Sequence, residues 1–96
     1  MSLKYRGRVF HVCLFLNDGD DVAALLRLRL AGAFCVVHKH GHGLHVHCVI
    51  KFDRAMWLHA FCAQFGVDAS SVKYGNSYDN YVSYARALAW DMEALK

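Results

Sequence analysis

The chain has 96 residues, of which 56% are apolar and 20% are charged, and its formal net charge is +3. A chain of this size buries only about two thirds of its unfolded surface, so we expect one domain over residues 1–96, without a second catalytic or motor domain. No apolar run approaches the ~20 residues that span a bilayer, and the first residues lack a signal-peptide core, so we expect a cytoplasmic protein without a membrane partner. The mildly basic charge is compatible with a nucleic-acid partner.

The first predicted strand covers residues 8–16, RVFHVCLFL, and is apolar on both faces. This pattern is typical of a central strand that is covered on two sides. His11 lies in this strand and is a minor candidate for the sheet face that carries the other histidines, since a lone strand histidine is usually a packed residue. A turn over residues 17–19 and the acidic pair Asp20 and Asp21 favour a helix that runs to about Ala31.

The stretch over residues 34–52, FCVVHKHGHGLHVHCVIKF, contains five of the seven histidines. Its glycines Gly41 and Gly43 separate two β-rich runs, residues 34–38 and 44–52. Glycines between such runs favour a tight turn, so the sequence predicts a β-hairpin with its tip near Gly41.

A two-residue tip places His38 opposite His45 and fixes which side chains share a face. His45 and His47 are two residues apart and project to one side of their strand, so three imidazoles converge there. His40 has the same parity as His38 and is a further candidate. Imidazole suits divalent transition metals, so we predict a metal site, with a solvated histidine-rich hairpin as the alternative.

The remaining sequence predicts a second helix, a fourth strand and a last helix. Asp53 is a good N-cap for a helix over residues 54–65, and residues 70–74 alternate as a strand does. The last helix begins at Asn76 or Ser77. The order β-α-β-β-α-β is that of a ferredoxin-like α+β fold, with a four-stranded antiparallel sheet and, here, an added C-terminal helix.

The last helix carries three tyrosines, Tyr78, Tyr81 and Tyr84. Tyrosines at helical spacing are usually core residues. At about 100° per residue, Tyr78 and Tyr81 are neighbours, whereas Tyr84 is offset toward Leu88. This helix must pack near the open sheet face that carries the histidines, where a tyrosine hydroxyl is a suitable nucleophile for a metal-bound phosphate.

The segments FHVCLFL, LHVHCVIKF and NYVSYAR resemble, in this order, the three motifs of the HUH endonucleases, and specifically the rolling-circle replication initiator (Rep) proteins of plasmids and small viruses. The resemblance covers about Val9 to Arg86. It implies a nuclease domain that nicks and joins single-stranded DNA through a tyrosine, with a 5′-phosphotyrosine intermediate and a free 3′-hydroxyl. It also implies a divalent cofactor, Mn²⁺ or Mg²⁺. The sequence contains no phosphate-binding glycine-rich loop, so we do not expect a fused helicase.

The resemblance assigns roles to individual histidines. His45 and His47 match the paired metal ligands, and His38 matches a further metal-binding histidine that several plasmid initiators carry. The carboxylate that follows in those initiators is missing here, and His40 or His42 is the candidate substitute.

The resemblance leaves two candidate nucleophiles. The family pattern is a tyrosine followed three residues later by lysine or histidine. A small hydroxyl residue often stands directly before that lysine or histidine. Tyr81 is preferred because Ser83 supplies the hydroxyl residue, although Tyr84 stands where the lysine or histidine is expected. The alternative nucleophile, Tyr84, places Ala87 at that position.

The expected partner is single-stranded DNA at a replication origin, with Lys51 and Lys73 as candidate DNA contacts. Lys51 shares the parity of the paired histidines, which places it on their face. Three other functions stay open: a single-tyrosine transposase of the same chemistry, a non-catalytic nucleic-acid-binding module of ferredoxin-like fold, and a structural metal-binding protein. A homodimer through the last helix also stays open.

Overall fold

A computed structural model describes residues 4–40 and 43–94, except for the side chains of residue 40 and residues 89–94. The elements in chain order are β1 (Arg6–Phe15), α1 (Gly19–Leu30), β2 (Phe34–His40), β3 (Gly43–Trp57), α2 (Leu58–Phe65), a 3₁₀ turn (Ala69–Ser71), β4 (Val72–Lys73) and α3 (Tyr78–Ala94). Within these ranges, no helix is both long enough and apolar enough to cross a membrane.

The four strands form one antiparallel sheet in the order β2-β3-β1-β4. The predicted ferredoxin-like fold is confirmed, because the two central strands, β3 and β1, separate β2 from β4. The hairpin register is also confirmed: His38 lies opposite His45, and Val36 lies opposite His47.

Helices cover both faces of the sheet. The larger core lies under α1 and α2, and its fully buried members include Phe10, Val12, Leu14, Cys48, Leu28 and Phe61. A smaller cluster lies under α3 and joins Val49 of β3 to Tyr81 and Val82. The apolar pattern on both faces of the first strand therefore reflects two separate cores.

The boundary between β3 and α2 differs from the prediction. The strand continues through Asp53 to Trp57, because Arg6 at the start of β1 pairs with Trp57 after an irregularity in the β1–β3 register between Gly7 and Val9. Trp57 is 45% exposed, and the Arg6 guanidinium lies over its ring, 5.8 Å from the ring centre. Asp53 is therefore a strand residue, and α2 begins at Leu58 without a side-chain cap.

The start of α3 is fixed by two polar side chains, which sets the rotation of the helix over the sheet. The Ser77 hydroxyl accepts a hydrogen bond from the Asn80 amide N–H at 3.1 Å, as an N-cap does. The Asn76 side-chain oxygen accepts from the Ser77 amide N–H at 2.8 Å. From this start, α3 turns Tyr81 and Ala85 toward the sheet, where both are buried.

Candidate functional site on the histidine face

The predicted histidine trio lies together on the sheet face that α3 partly covers. The ring centre of His38 on β2 is 6.0 Å from that of His45 and 5.6 Å from that of His47. His47 is buried, whereas the other two are partly exposed. Strand alternation and cross-strand register therefore bring these three predicted residues to one place.

A fourth histidine joins the trio from the neighbouring strand β1. His11 Nε2 lies 2.9 Å from His47 Nδ1, and the His11 side chain is only 1% exposed. From the sequence alone, His11 is only a minor candidate for this face. The signal that identifies it is its odd parity in β1, which directs it to the same sheet face as His47 once β1 and β3 are known to be neighbours.

Burial keeps the His11–His47 pair neutral. Burial, which is the larger cause, and the nearby Lys73 together lower the pKa of His11 to about 4. The pKa of His47 is also lowered to about 4, chiefly by burial and then by the surrounding histidines. Both imidazoles are therefore uncharged at neutral pH, and each keeps one nitrogen lone pair for a hydrogen bond or a metal ion.

Tyr84 of α3 faces the histidine trio across a cavity of about 330 Å³. The cavity, which we call the histidine cavity, is lined by His38, His45, His47, Tyr84 and Leu88. The Tyr84 ring centre is 6.1 Å from that of His47, and the side chain is 48% exposed. Tyr84 thus combines proximity to the trio with access from outside.

Tyr81, the preferred nucleophile from the sequence, occupies a different environment. It lines an adjoining cavity of about 230 Å³ with His11, Lys73, Asn76, Asn80 and Tyr84. Its ring centre is 5.1 Å from that of His11, and it is only 8% exposed. Burial raises the pKa of the Tyr81 hydroxyl, so its anionic form is disfavoured.

The two predicted DNA-binding lysines lie at different distances from these cavities. The Lys73 ammonium is 5.5 Å from the Tyr84 ring centre, and Lys73 pairs with His11 across the β1–β4 edge. Lys51 is exposed opposite Val9 and lines neither of the two cavities. Only Lys73 is therefore placed beside the tyrosines.

The candidate substitutes for the missing carboxylate are His40 and His42. The side chain of His40 and the whole of His42 lie outside the described residues.

The site provides atoms that can bind a metal ion, but they are not arranged around a common position. Among the side chains that the structure describes, no three from His, Cys, Asp or Glu are arranged to hold one metal ion. Because a transition metal needs each ligating nitrogen at about 2.0–2.1 Å, the imidazoles must reorient within the histidine cavity to bind one. The donor chemistry fits, since in the described part of the chain His47 Nε2 is buried without a hydrogen-bond partner.

Comparisons with protein-family models, with curated proteins and with solved structures found no match to this chain.

Proposed function

We propose that this chain is a metal-dependent enzyme that nicks and joins single-stranded DNA through a tyrosine and so initiates rolling-circle-type replication in the cytoplasm. The observation that carries the proposal is the histidine cavity, where a half-exposed tyrosine and three histidines line the same space. A nucleophile and a set of metal-binding atoms on one side of a small domain are what phosphodiester transfer requires.

The chemistry needs one nucleophile and one source of positive charge. His38, His45 and His47 would hold a divalent cation, which would supply that charge at the phosphodiester. The Tyr84 oxygen forms a bond to phosphorus, and the bond from phosphorus to the 3′ oxygen breaks. The products are a 5′-phosphotyrosine and a 3′ oxygen that gains a proton, while the phenolic proton of Tyr84 leaves to solvent. Joining is the reverse reaction with an incoming 3′-hydroxyl.

Tyr84 is our choice of nucleophile over Tyr81. Tyr84 lines the histidine cavity and is 48% exposed, whereas Tyr81 is 8% exposed and contacts His11 instead. The greater exposure of Tyr84 gives an incoming DNA phosphate better access to its side chain than to that of Tyr81. The raised pKa of the Tyr81 hydroxyl also opposes formation of its nucleophilic anion.

The surroundings of Tyr84 support an anionic substrate and a particular class of metal. The Lys73 ammonium, 5.5 Å from the Tyr84 ring centre, attracts a phosphate toward Tyr84. The described donors of the trio are all imidazoles, which suit transition ions better than Mg²⁺, an ion that prefers oxygen ligands. Of the two expected cofactors, we therefore propose Mn²⁺.

A base-stacking binding module is less consistent with this arrangement. Such modules present aromatic side chains on an open sheet face. Here α3 packs on that face through Tyr81 and Val82, and the side chains beside it are imidazoles.

The proposal is tested with single-stranded oligonucleotides that include origin-like and transposon-end sequences. Each is incubated with the protein and Mn²⁺, and the products are separated on a denaturing gel. We expect a covalent protein–DNA adduct that disappears in Tyr84→Phe and is retained in Tyr81→Phe. The sequence that supports the adduct distinguishes a replication initiator from a transposase.

Two results would contradict the proposal at different levels. If no oligonucleotide gives an adduct, the enzyme assignment is wrong. If the adduct persists in Tyr84→Phe and is lost in Tyr81→Phe, the chemistry stands and the choice of nucleophile is wrong. Calorimetry with Mn²⁺ on His45→Ala and His47→Ala tests the metal site separately, and unchanged affinity in both variants would exclude it.

A further inference from the structure

His11 of β1 contacts His47, a member of the histidine trio. His11 pairs in register with Val49, yet its ring lies toward His47, the next residue of β3 on the same face. The result is the buried 2.9 Å contact between His11 Nε2 and His47 Nδ1. At this distance one nitrogen donates a proton and the other accepts it.

The contact leaves only one nitrogen of His47 for other partners. A neutral imidazole carries one N–H and one lone pair, on different nitrogens. Nδ1 of His47 is used by His11, while Nε2 is buried and, among the described residues, has no hydrogen-bond partner. His47 also lines the histidine cavity. A cation in that cavity must therefore take the lone pair of Nε2, which puts the proton of His47 on Nδ1.

We propose that His11 is a positioning residue for the metal site: His11 Nε2 accepts a hydrogen bond from His47 Nδ1–H and so holds His47 with its Nε2 lone pair available to a divalent cation. This inference rests on the metal site of the proposed function. Metal-binding histidines usually donate their second N–H to an outer partner, which fixes the ring and its tautomer. Here that partner is another imidazole, whose own proton then resides on Nδ1, a buried atom that has no hydrogen-bond partner among the described residues.

The surroundings of His11 suit an acceptor rather than a ligand. Its side chain is 1% exposed and lies between β3 and the Tyr81 ring, 5.1 Å away. It lines the adjoining cavity that contains Lys73 and Tyr81, and not the histidine cavity.

Cys13, two residues further along β1, makes a weaker version of the same contact. Its Sγ lies 3.7 Å from Nδ1 of His45, the other member of the predicted ligand pair. Burial raises the pKa of the Cys13 thiol, so it stays protonated and uncharged. Sulfur is a weak hydrogen-bond acceptor, so we expect Cys13→Ala to weaken metal binding less than removal of His11 does.

The test uses Zn²⁺, which is diamagnetic and leaves imidazole resonances observable. In the wild-type protein with Zn²⁺, nitrogen-detected NMR of ¹⁵N-labelled histidine should show His47 protonated on Nδ1 and metal-bound through Nε2. Two variants are compared: His11→Gln, whose side-chain oxygen replaces the acceptor, and His11→Phe, which keeps the ring volume without an acceptor. We expect Zn²⁺ affinity to fall about 10–100-fold in His11→Phe and to change only a few-fold in His11→Gln.

The outcomes separate this inference from the proposed function. Failure of the wild-type protein to bind Zn²⁺ overturns the metal site and this inference with it. Binding that is equal in wild type and a folded His11→Phe overturns the role of His11 alone. The wild-type spectrum decides the matter without any variant, because a Zn²⁺-bound His47 that carries its proton on Nε2 contradicts the inference even if His11→Phe fails to fold.

Discussion

The His11–His47 pair is removed from water on a face that is otherwise partly open, and this burial determines its charge. His11 is 1% exposed and His47 is 6% exposed. A buried imidazolium without a counter-ion is costly, so the folded protein disfavours protonation of both rings. The unfolded chain has no such restriction, which couples the stability of the fold to pH.

We expect the folded state to lose stability as the pH falls from neutral. The pKa of each ring lies below its ordinary value of 6.5, at about 4. Between pH 6.5 and pH 4 the unfolded chain binds more protons than the folded protein does. The stability that the neutral pair contributes is therefore complete above about pH 6.5 and is lost as the pH falls toward 4. The loss has an upper limit of about 1.4 kcal/mol per pH unit for each histidine.

Urea unfolding of the wild-type protein at pH 7 and pH 5 measures this loss. Carboxylates also titrate in this range, so the comparison that isolates the pair is with His11→Gln, which should lose less stability between the two pH values. His59→Gln changes an exposed histidine on α2 and should behave as wild type. Equal pH dependence in wild type and His11→Gln would show that the buried pair does not control it.

Individual residues of the site differ in how far the sequence predicts them. The trio follows from alternation and from one hairpin tip, both of which are local, and the register of His38 with His45 is confirmed. The His11–His47 contact requires two strands that are distant in sequence to be neighbours. Tyr84 and Tyr81 cannot be distinguished by helical spacing alone, because spacing does not fix how α3 is rotated over the sheet.

Among the secondary-structure elements, α3 decides which tyrosine reaches the histidine cavity. Tyr81 and Val82 pack against Val49 of the sheet, and Ala85, four residues after Tyr81, is fully buried. A small residue at this buried position lets the helix pack closely. The sequence predicted the start of this helix well because capping is local, but it placed the start of α2 too early. Asp53 has the chemistry of an N-cap, and only the long-range pairing of Arg6 with Trp57 keeps it in the strand.

A larger residue at the buried contact of α3 should disturb both the fold and the site. We expect Ala85→Leu to destabilise the protein by about 1–3 kcal/mol, because added methylene groups in a packed contact force the helix away from the sheet. The same variant should lower Mn²⁺-dependent adduct formation, since Tyr84 moves with the helix. Urea unfolding and the adduct gel measure the two effects.

Ala87→Leu is the matched control for this change. It adds the same atoms to an exposed position of the same helix, so stability and adduct yield should stay close to those of wild type. If Ala85→Leu is as stable as Ala87→Leu, the close contact between α3 and the sheet is not as described.

Considered as a whole, the molecule places its candidate site where three separate parts of the chain meet. β2 supplies His38, β3 supplies His45 and His47, and α3 supplies Tyr84. The larger core under α1 and α2 lies on the opposite face, so the site does not compete with it for apolar side chains. A ligand that joins β2 to β3 binds only the folded arrangement of these strands, and its binding free energy therefore adds to the stability of the entire domain.

This coupling predicts a thermal shift with Mn²⁺. A ligand at 100 times its dissociation constant stabilises the folded state by about 2.7 kcal/mol. In a domain of this size, 1 kcal/mol corresponds to a change in Tm of about 4–8 °C, so saturating Mn²⁺ should raise Tm by roughly 10 °C or more.

His47→Ala and His38→Ala should abolish the shift, because each removes a donor from the histidine cavity. His59→Ala should retain it, and a chelator should reverse it. A shift of the same size in His47→Ala and wild type would place the bound ion elsewhere on the molecule.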